Sequence, residues 1–337
     1  MKYRYFGKTG LKISEISFGT QTFGWTTGEA DSFKLLDCYV EEGGNYLDTA
    51  DSYNGGASEE ILGAWLKQRK QNDDLVIGTK VFFNDRAGEG SNAVGHSRKH
   101  IVRSLETSLR RLGVEAVDLY QLHCYDRGAD LELVVDTMET LIRQGKILHY
   151  GLSNFAPSAI MKMVMLGRFK SAAQPASLQL EYSLLVRSPE WELLPLCEDE
   201  RIGTLAWSPL AGGWLTGKYK RNAEAPKNSR VGRKDREYDQ PDKRDNERTW
   251  AILDALEEIA KNRGLPVSQV ALNWLRTKRS ISSVLIGART VDQLKENLSC
   301  VGWDLGADEA RKLDAASAEA APYPYSFIDT YSRPSYR

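Results

Sequence analysis

Short apolar runs alternate along the chain with amphipathic stretches, and the alternation repeats from end to end. Apolar runs fall at Ile16–Phe18, Tyr46–Asp48, Leu75–Thr79, Asp118–Leu122, Ile147–Leu152, Ser177–Leu180, Gly203–Trp207 and Ser283–Ile286, and lengths of that order suit strands. Most of the segments between them read as helices. Ser104, Leu105, Ser108, Leu109 and Leu112 recur at helical spacing, as do Leu133, Val134, Met138, Leu141 and Ile142. Asp31 and Ser97 are the expected N-caps of two of these helices, and Pro157 suits the first turn of the helix that follows Asn154. Ahead of the first run, Tyr3–Phe6 and Leu11–Ile13 flank a glycine-containing turn, the pattern of a β-hairpin.

Eight strands that each lead into a helix predict a closed parallel (β/α)₈ TIM barrel, although an open doubly wound sheet shares the local pattern. One interval is irregular. Between Trp207 and Ser283 lie a long polar segment, Gly212 to Asp245, and two helical stretches, Asn246–Arg263 and Val267–Thr277. Loops of that length are commonly functional covers or disordered. No repeat or linker divides the sequence, so the expectation is one domain over residues 1–337, with a hairpin at 1–14, the long loop at 212–245 and a tail at 319–337.

Composition narrows the class. Lysine and arginine number 45 against 46 aspartates and glutamates, a net charge of -1. That balance argues against nucleic acid or an anionic membrane as partner. Cys38, Cys124, Cys197 and Cys300 are far apart and form no CxxC pair, which favours free thiols in a reducing compartment. The N-terminus has no apolar signal-like region and no run of 18 apolar residues occurs; a cytoplasmic globule of enzyme size is expected. His96 and His100 are spaced i,i+4, but no acidic or cysteine ligand completes a set, so no metal site is expected. The basic stretch Lys218–Lys234 is soon followed by acidic residues and reads better as part of the long loop than as a nucleic-acid surface. Trp250, Trp274 and Met163 read as core.

The chemistry gathers at the strand ends. In a barrel, reactive groups sit at the C-terminal rim, and there the apolar runs end in polar residues. Strand two ends in Asp48 and continues as DTADSY to Tyr53; strand three runs into Lys80 and strand four into His123. Strand five ends in Ser153-Asn154, strand six in Gln179 and strand seven in Trp207-Ser208. Singly, each has an ordinary use: an aspartate after a strand is commonly a turn residue, and a lysine commonly lies along the surface. Together they suit proton delivery to a carbonyl. A phenol, with a pKa of about 10, is a poor acid–base group near neutrality until a neighbouring ammonium favours its anion. Lys80 would tune Tyr53, Asp48 would hold Lys80 charged, and His123 would orient the substrate oxygen.

With these motifs the chain resembles an aldo-keto reductase, related to the potassium-channel β-subunit-like reductases. The resemblance runs from the hairpin to about residue 315. It is carried by FGTQTFG, DTADSY, GTK, LYQLH, GLSNF, LQLEYSLL, AWSPLAGGWLTGKY and IGARTVDQLKENL. It implies an NAD(P)H-dependent oxidoreductase moving hydride reversibly between nicotinamide and an aldehyde, ketone, sugar or polyol. Asp48, Tyr53, Lys80 and His123 would form the catalytic tetrad. Ser153, Asn154 and Gln179 would hold the carboxamide, Trp207 would stack on the nicotinamide, and Gly19, Thr20 and Gln21 would lie near its ribose. Ser208, Pro209, Leu210, Ala211, Gly212 and Lys218 would follow the pyrophosphate, with Arg230 from the long loop. Gly287, Arg289, Gln293, Glu296 and Asn297 would take the adenosine end.

The resemblance also implies NADP(H) ahead of NAD(H). Many members carry lysine where Gly287 falls and arginine where Gln293 falls, which leaves Arg289 as the cation of that stretch. Trp25, Phe82 and Tyr125 are expected pocket walls. The loops 84–96 and 212–245 and the tail from Pro322 are expected to select the substrate. The alternatives are a cofactor-binding regulatory subunit like the channel β subunits, against which an intact His123 argues, and a barrel hydrolase with paired carboxylates, against which the cofactor-type motifs argue. Substrate identity, reaction direction and oligomeric state stay open.

Overall fold

The computed structural model describes residues 1–69, 72–83, 90–227, 229–233 and 244–333. Within them, strands β3 (Ile16–Gly19), β4 (Tyr46–Asp48), β5 (Val76–Val81), β6 (Val117–Leu122), β7 (Ile147–Ser153), β8 (Ser177–Glu181), β9 (Gly203–Trp207) and β10 (Ser283–Ile286) pair in parallel and close on themselves, β10 against β3. All eight expected strands are present, three at the expected bounds and the others within a residue or two. Closure decides for the (β/α)₈ barrel over the open sheet.

A hairpin of β1 (Tyr3–Tyr5) and β2 (Lys12–Ser14) precedes the barrel, paired from Tyr3↔Ser14 to Tyr5↔Lys12. Phe6 and Ile13 are wholly buried with Tyr46, Val76, Leu119, Ala176 and Leu205, so the hairpin stoppers the barrel at the N-terminal end of its strands. Its turn must press close to do so. At Gly7, with φ +57, a Cβ would lie 2.6 to 2.9 Å from backbone atoms of Gly203, Arg201 and Ala176. Only glycine meets both demands.

A larger apolar layer joins the outer face of the barrel to its helices. Tyr120, Tyr150, Leu152 and Leu178 pack there with Leu105, Leu109 and Leu112 of the helix Arg98–Leu112 and with Met138 and Leu141 of the helix Leu131–Arg143. Trp250, Trp274 and Met163 are buried, as expected of core. Ser97 caps its helix, accepting from the His100 amide at 3.2 Å, and Pro157 opens the helix to Lys170. Asp31 does not cap. Gly28 holds the extended N-cap position, and Asp31 lies inside the first turn of Glu29–Glu41, paired with Lys34. Its charge still faces the positive end of the helix.

The helices Glu247–Arg263 and Val267–Arg276 fall where expected. The polar segment before them contains a 3₁₀ turn, Ala211–Thr216, and a short helix, Arg230–Arg233; positions 228 and 234–243 lie outside the described residues. No helix among the described residues is long and apolar enough to cross a membrane. The four cysteines are free.

Candidate active site

Alternate residues of a strand share a face, and the faces turned into the barrel rise in layers. Tyr46, Leu119, Ser177 and Leu205 lie below; two residues further along each strand come Asp48, Gln121, Gln179 and Trp207. Above the stoppered, apolar end the interior becomes polar.

Asp48 and Lys80 form a fully buried ion pair, Nζ to Oδ2 2.5 Å. The other carboxylate oxygen, Oδ1, accepts from Gln121 Nε2 at 3.0 Å and from Gln179 Nε2 at 2.9 Å. Lys80 also donates to the Thr49 carbonyl at 2.8 Å and to the Tyr53 hydroxyl at 3.1 Å. Burial works against its charge, but Asp48 first and then Tyr53 outweigh it, so the Lys80 pKa is raised. The ammonium is held charged beneath the phenol.

Tyr53 reaches that position because the chain after β4 turns back sharply. The Thr49 amide donates to the Gly78 carbonyl, the Asp51 amide to that of Lys80, and the Tyr53 amide to that of Ala50. From outside, the Arg111 guanidinium donates to the Asp51 carbonyl at 3.1 Å while paired with buried Glu59 at 3.2 Å. Asn54, at φ +54, fixes the far side of the turn by donating to the Gln21 and Phe23 carbonyls. Asparagine tolerates that conformation better than most residues.

His123 stands on the other side of Tyr53, its ring edge-on with centroids 5.8 Å apart. Burial, then the Lys80 charge and the neighbouring His96, push its pKa well below the usual imidazole value; it is neutral. Its Nδ1 is buried without a hydrogen-bond partner among the described residues. Phe83 packs edge-on against the same ring at 5.1 Å and is 44% exposed.

Next to His123 the rim turns to amides. Asn154, at φ +57, donates to the His123 carbonyl and to Ser153 Oγ, both at 3.0 Å, and accepts from Trp207 Nε1 at 3.2 Å. Ser153, Asn154, Gln179 and half-buried Trp207 are thus contiguous. Gly19 is half-buried at the end of β3, with half-buried Gln21 just beyond. The Thr20 side chain turns inward instead, bonded to the Asp48 carbonyl at 3.1 Å and to Ser58 at 2.6 Å. After Trp207, Ser208, Ala211 and Gly212 all take left-handed backbone conformations; Pro209 is buried and Leu210 half-buried. The exposed Lys218 folds its ammonium over Gly213 and the Tyr219 ring. The side chain of Arg230 lies outside the described residues.

At the far end, Gly287 is exposed and Arg289 half-buried. Thr290 caps the helix Val291–Leu298 by accepting from the Gln293 amide, and Gln293 Oε1 accepts from the Arg289 amide at 3.1 Å. Glu296 accepts from Ser268 at 2.8 Å, and Asn297 is largely buried. Among the expected walls, Trp25, Phe82 and Tyr125 are half-buried. Phe82 packs on Phe83 and His96, and Tyr125 on Phe155. The wall that touches the imidazole is therefore Phe83. Among the described residues no cluster of three or more histidines, cysteines or acids could hold a metal ion.

The sequence pattern of the aldo/keto reductase family matches residues 15–318. The chain belongs to that family. It is 33% identical to an uncharacterized oxidoreductase, YrpG, of Bacillus subtilis, over 93% of this chain and 95% of that one. It is likewise 33% identical to a probable voltage-gated potassium channel subunit beta of Arabidopsis thaliana, over 89% and 91%. A norsolorinic acid reductase of Aspergillus flavus is 30% identical over 97% of this chain and 84% of its own. This chain is an oxidoreductase of that family, whose members typically use NAD(P)H.

Two residues close to the chemistry escaped the sequence reading, Gln121 and Phe83. Gln121 lies two positions before His123 on the same strand face, so inward spacing in LYQLH was the available signal. Phe83 lies past the last paired residue of β5, where strand alternation no longer says which way a side chain turns.

Proposed function

We propose that the chain reduces aldehydes and ketones with NADPH, and runs the reverse oxidation of the alcohols, with Tyr53 as the general acid–base. The observation that carries this reading is the Lys80 ammonium, 3.1 Å from the Tyr53 hydroxyl and backed by buried Asp48.

The residues present fit a nicotinamide nucleotide. Ser153, Asn154 and Gln179 offer the mixed donors and acceptors that a carboxamide needs, beside an indole able to lie along a planar ring. The left-handed turns after Trp207, with Lys218 above, and the capped helix after Arg289 suit phosphate groups. When bound, the reduced nicotinamide supplies the hydride. The protein's own residues do the rest. Tyr53 gives its proton to the carbonyl oxygen as that oxygen gains charge, and the Lys80 ammonium stabilises the phenolate left behind. Asp48 keeps Lys80 charged where burial alone would discharge it. Neutral His123 orients the oxygen by hydrogen bonding, and Phe83 and Trp207 keep water from the reacting face.

Relatives named as channel subunits suggest a regulatory role; the complete set Asp48, Tyr53, Lys80 and His123 supports turnover. The test is nucleotide oxidation, followed by absorbance, with purified protein and a panel of aldehydes and ketones. Tyr53→Phe should keep nucleotide affinity and lose at least about a hundredfold in kcat, the scale of a general acid. Near-normal reduction by that variant would overturn the assignment.

A further inference from the structure

Beneath the Asp48–Lys80 pair lies a polar group that the reaction as described does not use. Tyr46 is wholly buried inside the barrel, two residues before Asp48 on β4 and so on the same inward face. Its hydroxyl occupies the notch over Gly78, where a Cβ at that position would collide with it. Gln121 lies alongside, its Nε2 3.6 Å from the same notch. The hydroxyl has no well-aligned partner among the described residues, but the Asp48 carboxylate lies close enough to act on it as a hydrogen-bond acceptor. A buried phenol usually finds a partner. Burial, followed by the nearby Asp48 carboxylate, raises its pKa well above the phenol value, so it stays a donor.

The carboxylate above has room for it. Asp48 accepts from Lys80 on one oxygen and from Gln121 and Gln179 on the other. A carboxylate has about four acceptor sites, so three donors leave one open. From below, the hydroxyl that shares the inward face of β4 with Asp48 is that of Tyr46.

We infer that Tyr46 is a positioning residue: its buried hydroxyl supports the Asp48 carboxylate from below and so sets how fully the Lys80 charge acts on Tyr53. The inference rests on the proposed acid–base role of Tyr53. Without the hydroxyl, the Asp48 carboxylate loses a donor and draws the Lys80 proton more strongly toward itself. The phenolate of Tyr53 then loses stabilisation. Tyr53 holds its proton to higher pH and becomes a weaker acid.

The titratable groups around this chain of contacts are few. Asp48, Asp118 and Tyr39 act on Tyr46; Asp48 and Tyr53 act on Lys80; Lys80 and His96 act on His123. Asp51 and Arg111 border the turn that carries Tyr53. Tyr46→Phe alters none of these directly and keeps the ring.

The experiment compares the wild type with Tyr46→Phe in four measurements. They are thermal stability, nucleotide affinity, the pH profile of kcat/KM, and the ultraviolet titration of Tyr53, isolated by subtracting the matching Tyr53→Phe protein. Melting temperature and nucleotide affinity should hold. The alkaline limb of the profile and the Tyr53 titration should both move up by roughly half to one pH unit, and kcat should fall about three- to tenfold. Unchanged limb and titration would overturn the inference, as would a loss of activity that tracks melting temperature with no pH shift. If the wild type reduces no carbonyl, the functional reading fails while the spectroscopic titration still decides the role of Tyr46.

Discussion

Replacing Asp48 with asparagine keeps the shape of the side chain and removes its charge, which separates the electrostatic role of this residue from its packing. Both partners of the Asp48–Lys80 pair are buried, with 2.5 Å between Nζ and Oδ2. Removing one partner of a buried pair costs about 3–5 kcal/mol when the other charge is left alone. Lys80 can avoid part of that penalty by giving up its proton. Burial is the largest influence on its pKa, and it is the Asp48 charge, with Tyr53, that overrides it. An asparagine whose carbonyl faces Gln121 and Gln179 would point its amide at Lys80, which accepts only as a neutral amine. The loss at pH 7 should therefore sit at the low end, roughly 3 kcal/mol, which a protein of ordinary stability survives. The sign of its pH dependence is distinctive. In the wild type the raised Lys80 pKa gives a contribution fully present below the unfolded value and lost only as pH climbs through the folded value, above 10.5. In the variant the folded pKa is depressed, so the unfolded chain binds the extra proton near neutrality. The stability gap between the two proteins, from urea unfolding, should be largest near pH 7 and shrink toward pH 10. Turnover should fall about a hundredfold or more, since Tyr53 loses its neighbouring cation. A gap that stays constant from pH 7 to pH 10, or turnover near the wild-type rate, would refute the reasoning.

Two other outcomes follow from single groups. Arg289→Ala should weaken NADPH binding about ten- to a hundredfold, the scale of a charge-assisted contact to phosphate, and leave NADH affinity nearly unchanged; equal weakening of both, by fluorescence titration, would reduce Arg289 to a shaping role. His96 is 2% exposed, and burial lowers its pKa from 6.5 to about 4. Between those values the unfolded chain takes up a proton that the folded one refuses, so stability should fall by roughly 3 kcal/mol as pH drops across that window. His96→Phe should flatten that part of the urea-unfolding profile, and an unchanged slope would count against it.

How much of the site was legible in the sequence depended on the kind of contact. A strand that ends in one polar residue announces itself by composition, so Asp48, Lys80 and His123 could be placed on one rim before their distances were known. The turn that brings Tyr53 over Lys80 could not. It depends on Arg111, from a different helix, holding the Asp51 carbonyl, and on Asn54 reaching back to Gln21 and Phe23. Helix starts were read where a side-chain cap was actually used, as at Ser97, and missed where glycine served by conformation alone, as at Gly28. The hairpin was visible as a hairpin, but nothing in its alternation said that Phe6 and Ile13 would close the barrel floor.

Closure of the barrel explains why the remaining partners were hidden. Gln121 and Gln179 belong to strands that are not adjacent, and neither is adjacent to β4, yet both reach Asp48 Oδ1 across the interior. No local periodicity connects positions 48, 121 and 179; only a closed sheet of fixed register sets them at one height. Their amides then do what solvent does for an exposed carboxylate, which water cannot do at a position with no exposure. A charged pair deep in the interior is costly unless every lone pair has a donor. By that requirement, the polar residues lining the barrel around Asp48 belong to the proposed chemistry as much as Asp48, Tyr53, Lys80 and His123 do, and a substitution at Gln121 or Gln179 should act through the charge of Lys80 before it acts through packing.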